Sequence, residues 1–178
     1  MRGDVELYRT GRLLVRRLHH GDVDDLHAVN GNAAAMRWVG EGDPLDRDGC
    51  AHWIDVTHNN YARRGYGMSA LVDAASGGVV GFCGIVHPGG QAEPEIKYAL
   101  RQDCWGQGYA TEAVIGMLDY AARSLGLTAI MATTAPENTA SHRVLEKAGM
   151  VRAELVHEDD GSQTQVFRWR HTTSERAP

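Results

Sequence analysis

Two glycines, Gly106 and Gly108, separate a segment with strand-like composition at 95–100 from apolar residues at helical spacing over 110–125. Glycine has no Cβ to block an approaching ligand, and the first turn of a helix has unpaired N–H donors at the positive end of its dipole. Strand, glycine turn and helix in this order therefore predict a site for a phosphate-bearing ligand. Taken alone, the turn is equally compatible with a tight bend that binds nothing.

The same turn argues against two kinds of nucleotide site. It lacks the Gly-Lys-Ser/Thr ending of a Walker A loop. Thr111 stands where a dinucleotide fingerprint needs its third glycine, and no acidic residue follows at the distance that would place it on a ribose. The ligand class must come from the rest of the chain.

Size and charge limit the remaining possibilities. With 178 residues, of which 43% are hydrophobic, the chain is expected to form one domain over 1–178, with a core of about 7–170 and a frayed tail at 171–178. The net charge of −5 and the absence of long basic clusters argue against nucleic acid as a partner.

The cysteines and histidines predict no metal site. Cys50, Cys83 and Cys104 are scattered, and the nine histidines lack the spacing of known zinc motifs. Unpaired cysteines suit a reducing compartment. The N-terminus has no apolar leader and no apolar run reaches 18 residues, so the sequence predicts a cytoplasmic protein without a membrane partner.

The order of elements predicts a mixed α/β (α+β) fold around one central sheet of about seven strands, with about four helices. Asp22 is predicted to cap the first helix, which continues to Val29, and the second helix spans 50–61. The predicted strands cover 12–18, 68–73, 79–86, 95–100, 129–134, 151–158 and 163–169.

Two motifs now resemble one known family. Residues 105–113 resemble the acyl-CoA pyrophosphate loop of the GNAT N-acetyltransferases, in the branch of the RimJ and RimL type. Residues 138–150 resemble the second CoA-side element of that branch, and weaker similarity extends over roughly 7–169. The resemblance implies a mostly antiparallel, twisted sheet whose strands splay at the acyl-CoA site, with acetyl-CoA as cosubstrate. Positions that depart from the family or branch patterns are Lys97, Trp105 and Met150.

By resemblance, main-chain N–H groups bind the pyrophosphate, and main-chain atoms of Ala99 and Leu100 pair with the pantetheine amides. Asn138 is carried over as a contact to the pantetheine arm, but an Asn at this position is equally expected as a helix N-cap. The predicted pyrophosphate-binding residues are Gln107, Gly108, Tyr109, Ala110 and Thr111, where the Thr111 hydroxyl can add a bond.

Two residues are predicted to move protons. Ser141 is carried over as the donor to the departing thiolate. Glu95 is the predicted base that takes a proton from the amine, because the branch places a carboxylate at this point of the strand. Alternation along the strand places Lys97 on the same face, so a structural ion pair with Glu95 is the competing interpretation. Glu93 and a water relay are the other options.

These observations predict acetyl transfer from acetyl-CoA to a primary amine by direct attack in a ternary complex. Cys104 has no recognisable histidine partner that would make it an acyl-enzyme nucleophile. The alternative is a non-catalytic acyl-CoA-binding sensor or interaction module. The amine can be a protein N-terminus or a small molecule, and a homodimer is possible. Trp38, Trp53 and Tyr61 lie in segments that border the acceptor in this branch.

Overall fold

The structure, a computed structural model, describes residues 5–39 and 42–172. Within these ranges the helices are α1 Val23–Asn30, α2 Ala33–Met36, α3 Arg47–Arg64, α4 Tyr109–Leu125 and α5 Thr139–Lys147. The strands are β1 Glu6–Arg9, β2 Leu13–Arg17, β3 Met68–Asp73, β4 Val79–Val86, β5 Glu95–Leu100, β6 Ala129–Thr134, β7 Val151–His157 and β8 Gln163–Arg170. No helix in the described ranges is both long and apolar enough to span a bilayer.

The strands form one sheet in the order β1-β2-β3-β4-β5-β6-β8-β7. Every neighbouring pair is antiparallel except β5 and β6, which are parallel and share a single paired position, Glu95 with Met131. Beyond this position the two strands diverge. The predicted mixed fold, the mostly antiparallel sheet and its splay are thus confirmed, with eight strands and five helices in the described residues.

The two additional elements are short. β1 has four residues, and α2 consists of Ala-Ala-Ala-Met, which is too short to show a helical period. The Asn32 side chain accepts hydrogen bonds from Ala34 N (2.9 Å) and Ala35 N (3.2 Å), so a local cap holds α2 in place.

The helices cover both faces of the sheet. On one face α4 and α5 bury Val114, Leu118 and Leu145 in a common core. On the other face Leu26 of α1 and Ile54 of α3 lie in a second core. Neighbouring residues of one strand, such as those of β3, point to opposite cores because side chains alternate along a strand.

Asp22 does not cap α1, contrary to the sequence prediction. Its carboxylate is buried, binds both terminal nitrogens of Arg16 (2.7 and 2.8 Å) and accepts a bond from His19 N (2.9 Å). The carboxylate therefore joins β2 to the turn before α1. The predicted tail at 171–178 lies outside the described residues from 173 onward.

Candidate active site

One cavity of about 690 Å³ lies at the divergence of β5 and β6. Its wall includes Ala35, which belongs to the core of one sheet face, and Leu145, which belongs to the core of the other. The cavity therefore connects the two faces through the gap in the sheet. A ligand can enter between β5 and β6 without breaking a strand pair.

The glycine turn forms one end of this wall. Gly106 and Gly108 have φ of 71° and 83°, a left-handed conformation that glycine adopts without strain. The first hydrogen bond of α4 runs from Glu112 N to Gly108 O (3.1 Å). The N–H groups of the preceding residues, Tyr109 to Thr111, come before the helical ladder, which is the geometry of an anion site.

Arg12, from the turn between β1 and β2, supports this loop. Its guanidinium donates to Glu112 Oε2 (2.7 Å) and to Gln107 O (2.9 Å), and it stacks 4.4 Å from the Tyr109 ring centroid. Glu112 also accepts from Thr10 Oγ1 (2.6 Å). Partial burial would raise the pKa of Glu112, but the bonds from Thr10 and Arg12 outweigh it and lower that pKa.

Gln107 differs from the other predicted pyrophosphate residues. Its side-chain nitrogen donates to Asp103 O (2.9 Å), whereas Gly108, Tyr109, Ala110 and Thr111 line the cavity. The role predicted for Gln107 depends only on its main chain, so it stays a prediction. Its side chain holds the loop closed.

The edge of β5 requires one correction. Arg101 N donates to Val80 O (2.8 Å) in β4, and peptide groups alternate across an antiparallel pair, so the peptide groups of Ala99 are also directed at β4. Those of Tyr98 and Leu100 face the gap, and Leu100 O accepts from Trp105 Nε1 (3.0 Å). The predicted main-chain contact of Ala99 is therefore wrong, and Tyr98 takes its place beside Leu100.

Ser141 lies where β5 and α5 face each other across the cavity. Its Oγ is 2.5 Å from the hydroxyl of Tyr98, and both residues line the cavity. Burial raises the pKa of Tyr98, and the bond to Ser141 offsets only part of that rise. The phenol therefore stays protonated near neutral pH and forms a proton-donating pair with Ser141.

Asn138 is the N-cap of α5. Its Oδ1 accepts from Ser141 N (3.2 Å), which fixes the turn that carries Ser141. The residue also lines the cavity, so a contact of its amide nitrogen with a ligand remains a prediction.

Glu95 lies behind the cavity wall and is only 2% exposed. Its Oε1 binds Lys97 Nζ and Thr133 Oγ1 at short range, and Gln91 Nε2 lies 3.4 Å from Oε2. Lys97 and Thr133 do line the cavity. The structural ion pair expected as the competing interpretation is thus present, and Glu95 contacts the cavity only through these two partners.

The reserve base, Glu93, is engaged elsewhere. Its Oε1 accepts from Arg168 NH1 (2.6 Å), and Arg168 also binds Glu154. Glu93 is not part of the described cavity wall. A direct role for Glu93 receives no support from this geometry.

The cavity is cationic although the whole chain carries a net charge of −5. Among the described lining residues there are four cationic side chains and no carboxylate, an arrangement that favours a polyanionic ligand. Arg143 and Lys147 are exposed on one edge of α5, and Arg37 stacks on Trp38 after α2. The four cations are Arg37, Lys97, Arg143 and Lys147.

The three aromatic residues near the predicted acceptor side separate into two groups. Trp38 lines the cavity and is 39% exposed. Trp53 packs on Phe82 with ring centroids 4.9 Å apart, and the Tyr61 hydroxyl bonds to Ser69 Oγ (3.0 Å) inside the protein. Trp38 can contact a ligand, whereas Trp53 and Tyr61 serve packing.

Sequence reasoning gave no role to Tyr98, Thr133 or the loop contacts of Arg12. Tyr98 carries a signal in its type, since a tyrosine in a strand that borders a ligand gap offers a hydroxyl for proton transfer. Its pairing with Ser141 depends on the approach of elements 43 positions apart in sequence, which one sequence does not specify. Arg12 and Thr133 had no local signal of this kind.

Relatives in Bacillus subtilis share this sequence. The uncharacterised protein YkkB is 36% identical over 109 residues, a match that spans 59% of this chain and 62% of YkkB. The match thus covers less than two thirds of YkkB. The uncharacterised N-acetyltransferase YnaD is 27% identical over 143 residues, which cover 80% of this chain and 81% of YnaD.

Among solved structures, one of RimL, a ribosomal L7/L12 alpha-N-protein acetyltransferase in complex with coenzyme A, has the same fold. Its TM-score is 0.79, with 93% of this chain and 97% of RimL covered. The identity is 15%, so this likeness concerns the fold.

The family comparison agrees with the two motifs. Residues 12–151 match the family described as Acetyltransferase (GNAT) domain, and this segment includes the glycine loop, β5 and α5. The chain belongs to the GNAT family of acetyltransferases.

Proposed function

We propose that this protein transfers the acetyl group of acetyl-CoA to a primary amine by direct attack in a ternary complex. The observation that carries the proposal is the cavity between β5 and β6. It connects the free N–H groups at the start of α4 to the Ser141–Tyr98 pair, so a phosphate-bearing cosubstrate and a proton donor meet along one wall.

Direct attack is supported by the state of Cys104, the one cysteine in the cavity wall as described. Burial, together with the neighbouring Asp103 carboxylate, raises the pKa of its thiol. A thiol in this state is a poor nucleophile, because the thiolate is the reactive form. An acyl-cysteine intermediate is therefore not expected.

In the proposed reaction the amine nitrogen attacks the thioester carbon, the new C–N bond forms and the C–S bond breaks. The sulfur takes a proton from Ser141 Oγ, and the Tyr98 hydroxyl returns one to Ser141. Main-chain N–H groups of β5 that face the gap can stabilise the negative charge that develops on the carbonyl oxygen.

The proton lost by the amine has one charged acceptor close to the wall. Thr133 Oγ1 lines the cavity and bonds to Glu95 Oε1 behind it. We therefore place Glu95 as a base that works through Thr133 and a water molecule. Lys97 holds Glu95 in its charged form and limits its strength as a base.

The test is steady-state kinetics of Glu95→Gln and Thr133→Val, with acetyl-CoA and a panel of primary amines that includes peptides. Loss of this base is expected to reduce kcat about 100-fold in both variants, within the range for general base catalysis. The KM for acetyl-CoA should be nearly unchanged, because neither residue belongs to the glycine loop.

Thr133→Ser is the matched control, since it keeps the hydroxyl and should restore most of the activity. Full activity of Glu95→Gln across the pH range would remove Glu95 from the mechanism. A sensor without turnover, the alternative function, would bind acetyl-CoA but release no free thiol with any amine, and the proton-donating pair on the cavity wall does not favour it.

A further inference from the structure

A second group of side chains with metal-binding chemistry lies outside the cavity. His20, Asp55 and His58 each offer one ligand atom, and the three atoms lie within 4.8 Å of one another. We propose that these residues form a Zn²⁺ site that joins the turn before α1 to helix α3. None of the three is part of the cavity wall, so the site is distinct from the active site.

The two α3 ligands share one side of the helix because Asp55 and His58 are three residues apart. His20 completes the group from another part of the chain. Its Nε2 is 2.7 Å from Asp55 Oδ1, and its ring meets the His58 ring edge-to-face with centroids 5.4 Å apart. A search for local motifs does not detect such a group, because one ligand is 35 positions from the next.

The hydrogen bond of His58 sets its ring for metal binding. Nε2 lies 2.8 Å from Leu18 O, and a carbonyl oxygen only accepts, so Nε2 carries the hydrogen. The neutral ring then keeps its lone pair on Nδ1. Histidine ligands in metal sites are commonly oriented in this way, with the second nitrogen donating to a backbone carbonyl.

Both supporting elements are fixed by buried contacts. The turn at His20–Asp22 is held by the bidentate ion pair of Asp22 with Arg16. Helix α3 is anchored on either side of the ligands by Ile54 and Thr57, which are 0% and 2% exposed. A site on such elements loses little freedom when the ion binds.

The donor set selects the ion. Two imidazole nitrogens and one carboxylate oxygen suit zinc, whereas calcium and magnesium prefer oxygen ligands throughout. Tetrahedral Zn²⁺ with bonds of about 2.0–2.1 Å places its ligand atoms roughly 3.3 Å apart. The side chains of His20 and Asp55 are each 58% exposed and can open their 2.7 Å contact to this separation, with water as the fourth ligand.

The experiment uses the full chain without a polyhistidine tag, freed of metal by a chelator and titrated with ZnCl₂ by calorimetry. One Zn²⁺ per chain is expected to bind. A parallel titration with Co²⁺ should give the visible absorption bands of a tetrahedral site. Asp55→Asn keeps a hydrogen-bond partner for His20 but removes the anionic ligand, and should weaken zinc binding roughly 10- to 100-fold.

His58→Ala should weaken binding at least as much, and its Tm measured with chelator shows whether the variant still folds. His157→Ala is the control, since His157 is an exposed histidine on β7, outside the group. The proposal is overturned if the wild-type protein binds no zinc, or if Asp55→Asn and His157→Ala bind it with the affinity of the wild type.

Discussion

The two halves of the candidate active site are built from different materials. The glycine loop at 105–112 offers main-chain N–H groups, and the side chains around it, Arg12 and Glu112, hold the loop in shape. The opposite wall offers side chains, with Ser141 and Tyr98 in contact across the gap. One half binds through its backbone conformation, the other through hydroxyl groups placed by tertiary packing.

This difference determines how each half fails. The loop depends on φ values that few residues adopt, so a change of one glycine alters every N–H group at once. The wall depends on individual atoms, so removal of one oxygen leaves its surroundings intact. Substitutions in the loop should act on acetyl-CoA affinity, and those in the wall on kcat.

The largest effect is expected in the wall. Tyr98→Phe and Ser141→Ala each break the proton-donating pair and should lower kcat by about 100-fold, as expected for loss of a general acid. The double variant should lose little more than either single variant, because the two hydroxyls act together. Measured kcat values together with dissociation constants for acetyl-CoA check this.

Dissociation constants in both variants should stay close to the wild-type value. Since the pKa of Tyr98 is raised by burial, its hydroxyl is protonated below its ordinary pKa near 10 and beyond it. The wild-type kcat should therefore show no fall below about pH 10 from ionisation of Tyr98. Independent, multiplicative losses in the double variant would show that the pair does not act as a unit.

A smaller effect, on affinity, is expected for Gly108→Ala. The left-handed conformation costs a residue with a Cβ about 1–2 kcal/mol, and the new Cβ would lie 3.3 Å from Arg12 NH2. The loop should give up its shape, and the dissociation constant for CoA should rise roughly tenfold. Calorimetric titration with CoA measures this.

Gly126→Ala is the matched control at the other end of the same helix. Gly126 has φ of 67° and open space around its Cβ position, so the substitution carries a similar backbone strain. It should lower Tm without changing the affinity for CoA. Equal losses of affinity in both variants would trace the effect to general stability and not to the loop.

The smallest effect is expected for Arg12→Ala, which removes the support of the loop but leaves the loop sequence unchanged. The dissociation constant for acetyl-CoA should rise a few-fold, on the order of one lost charge-assisted hydrogen bond. Arg12→Lys keeps the charge without the forked geometry and should recover only part of the affinity.

The pH dependence of this support follows from Glu112. Its pKa is lowered in the folded protein, so its contribution is present above the unfolded pKa of about 4.3 and is lost as pH falls through the folded pKa. The ratio of dissociation constants between wild type and Arg12→Ala should be constant from about pH 6 to 9. A ratio that falls across this range would contradict the proposed role of Glu112.

The sequence predicted the loop better than the wall, for a physical reason. Gly106, Gly108 and the helix that follows are neighbours in the chain, so their geometry is local and visible as a motif. The period of α4 and its end at Gly126 were predicted for the same reason. The sheet order required the strand count and the resemblance together.

The wall depends on distances between elements, which one sequence does not encode in a readable form. Whether Glu95 or its partner Thr133 meets the ligand follows from how β5 and β6 diverge. The orientation of the Ala99 peptide groups follows from the register of β5 with β4. A shift of that register by one residue would exchange the roles of Ala99 and Tyr98.

The single bridge between β5 and β6 also has a mechanical meaning. A sheet is stiff where its neighbours are stitched together, and here the stitching stops after Glu95 and Met131. The strands before the gap and those after it can thus change their mutual angle as two plates on a hinge. An inserted pantetheine arm would lock that hinge, so that substrate completes the framework that holds it.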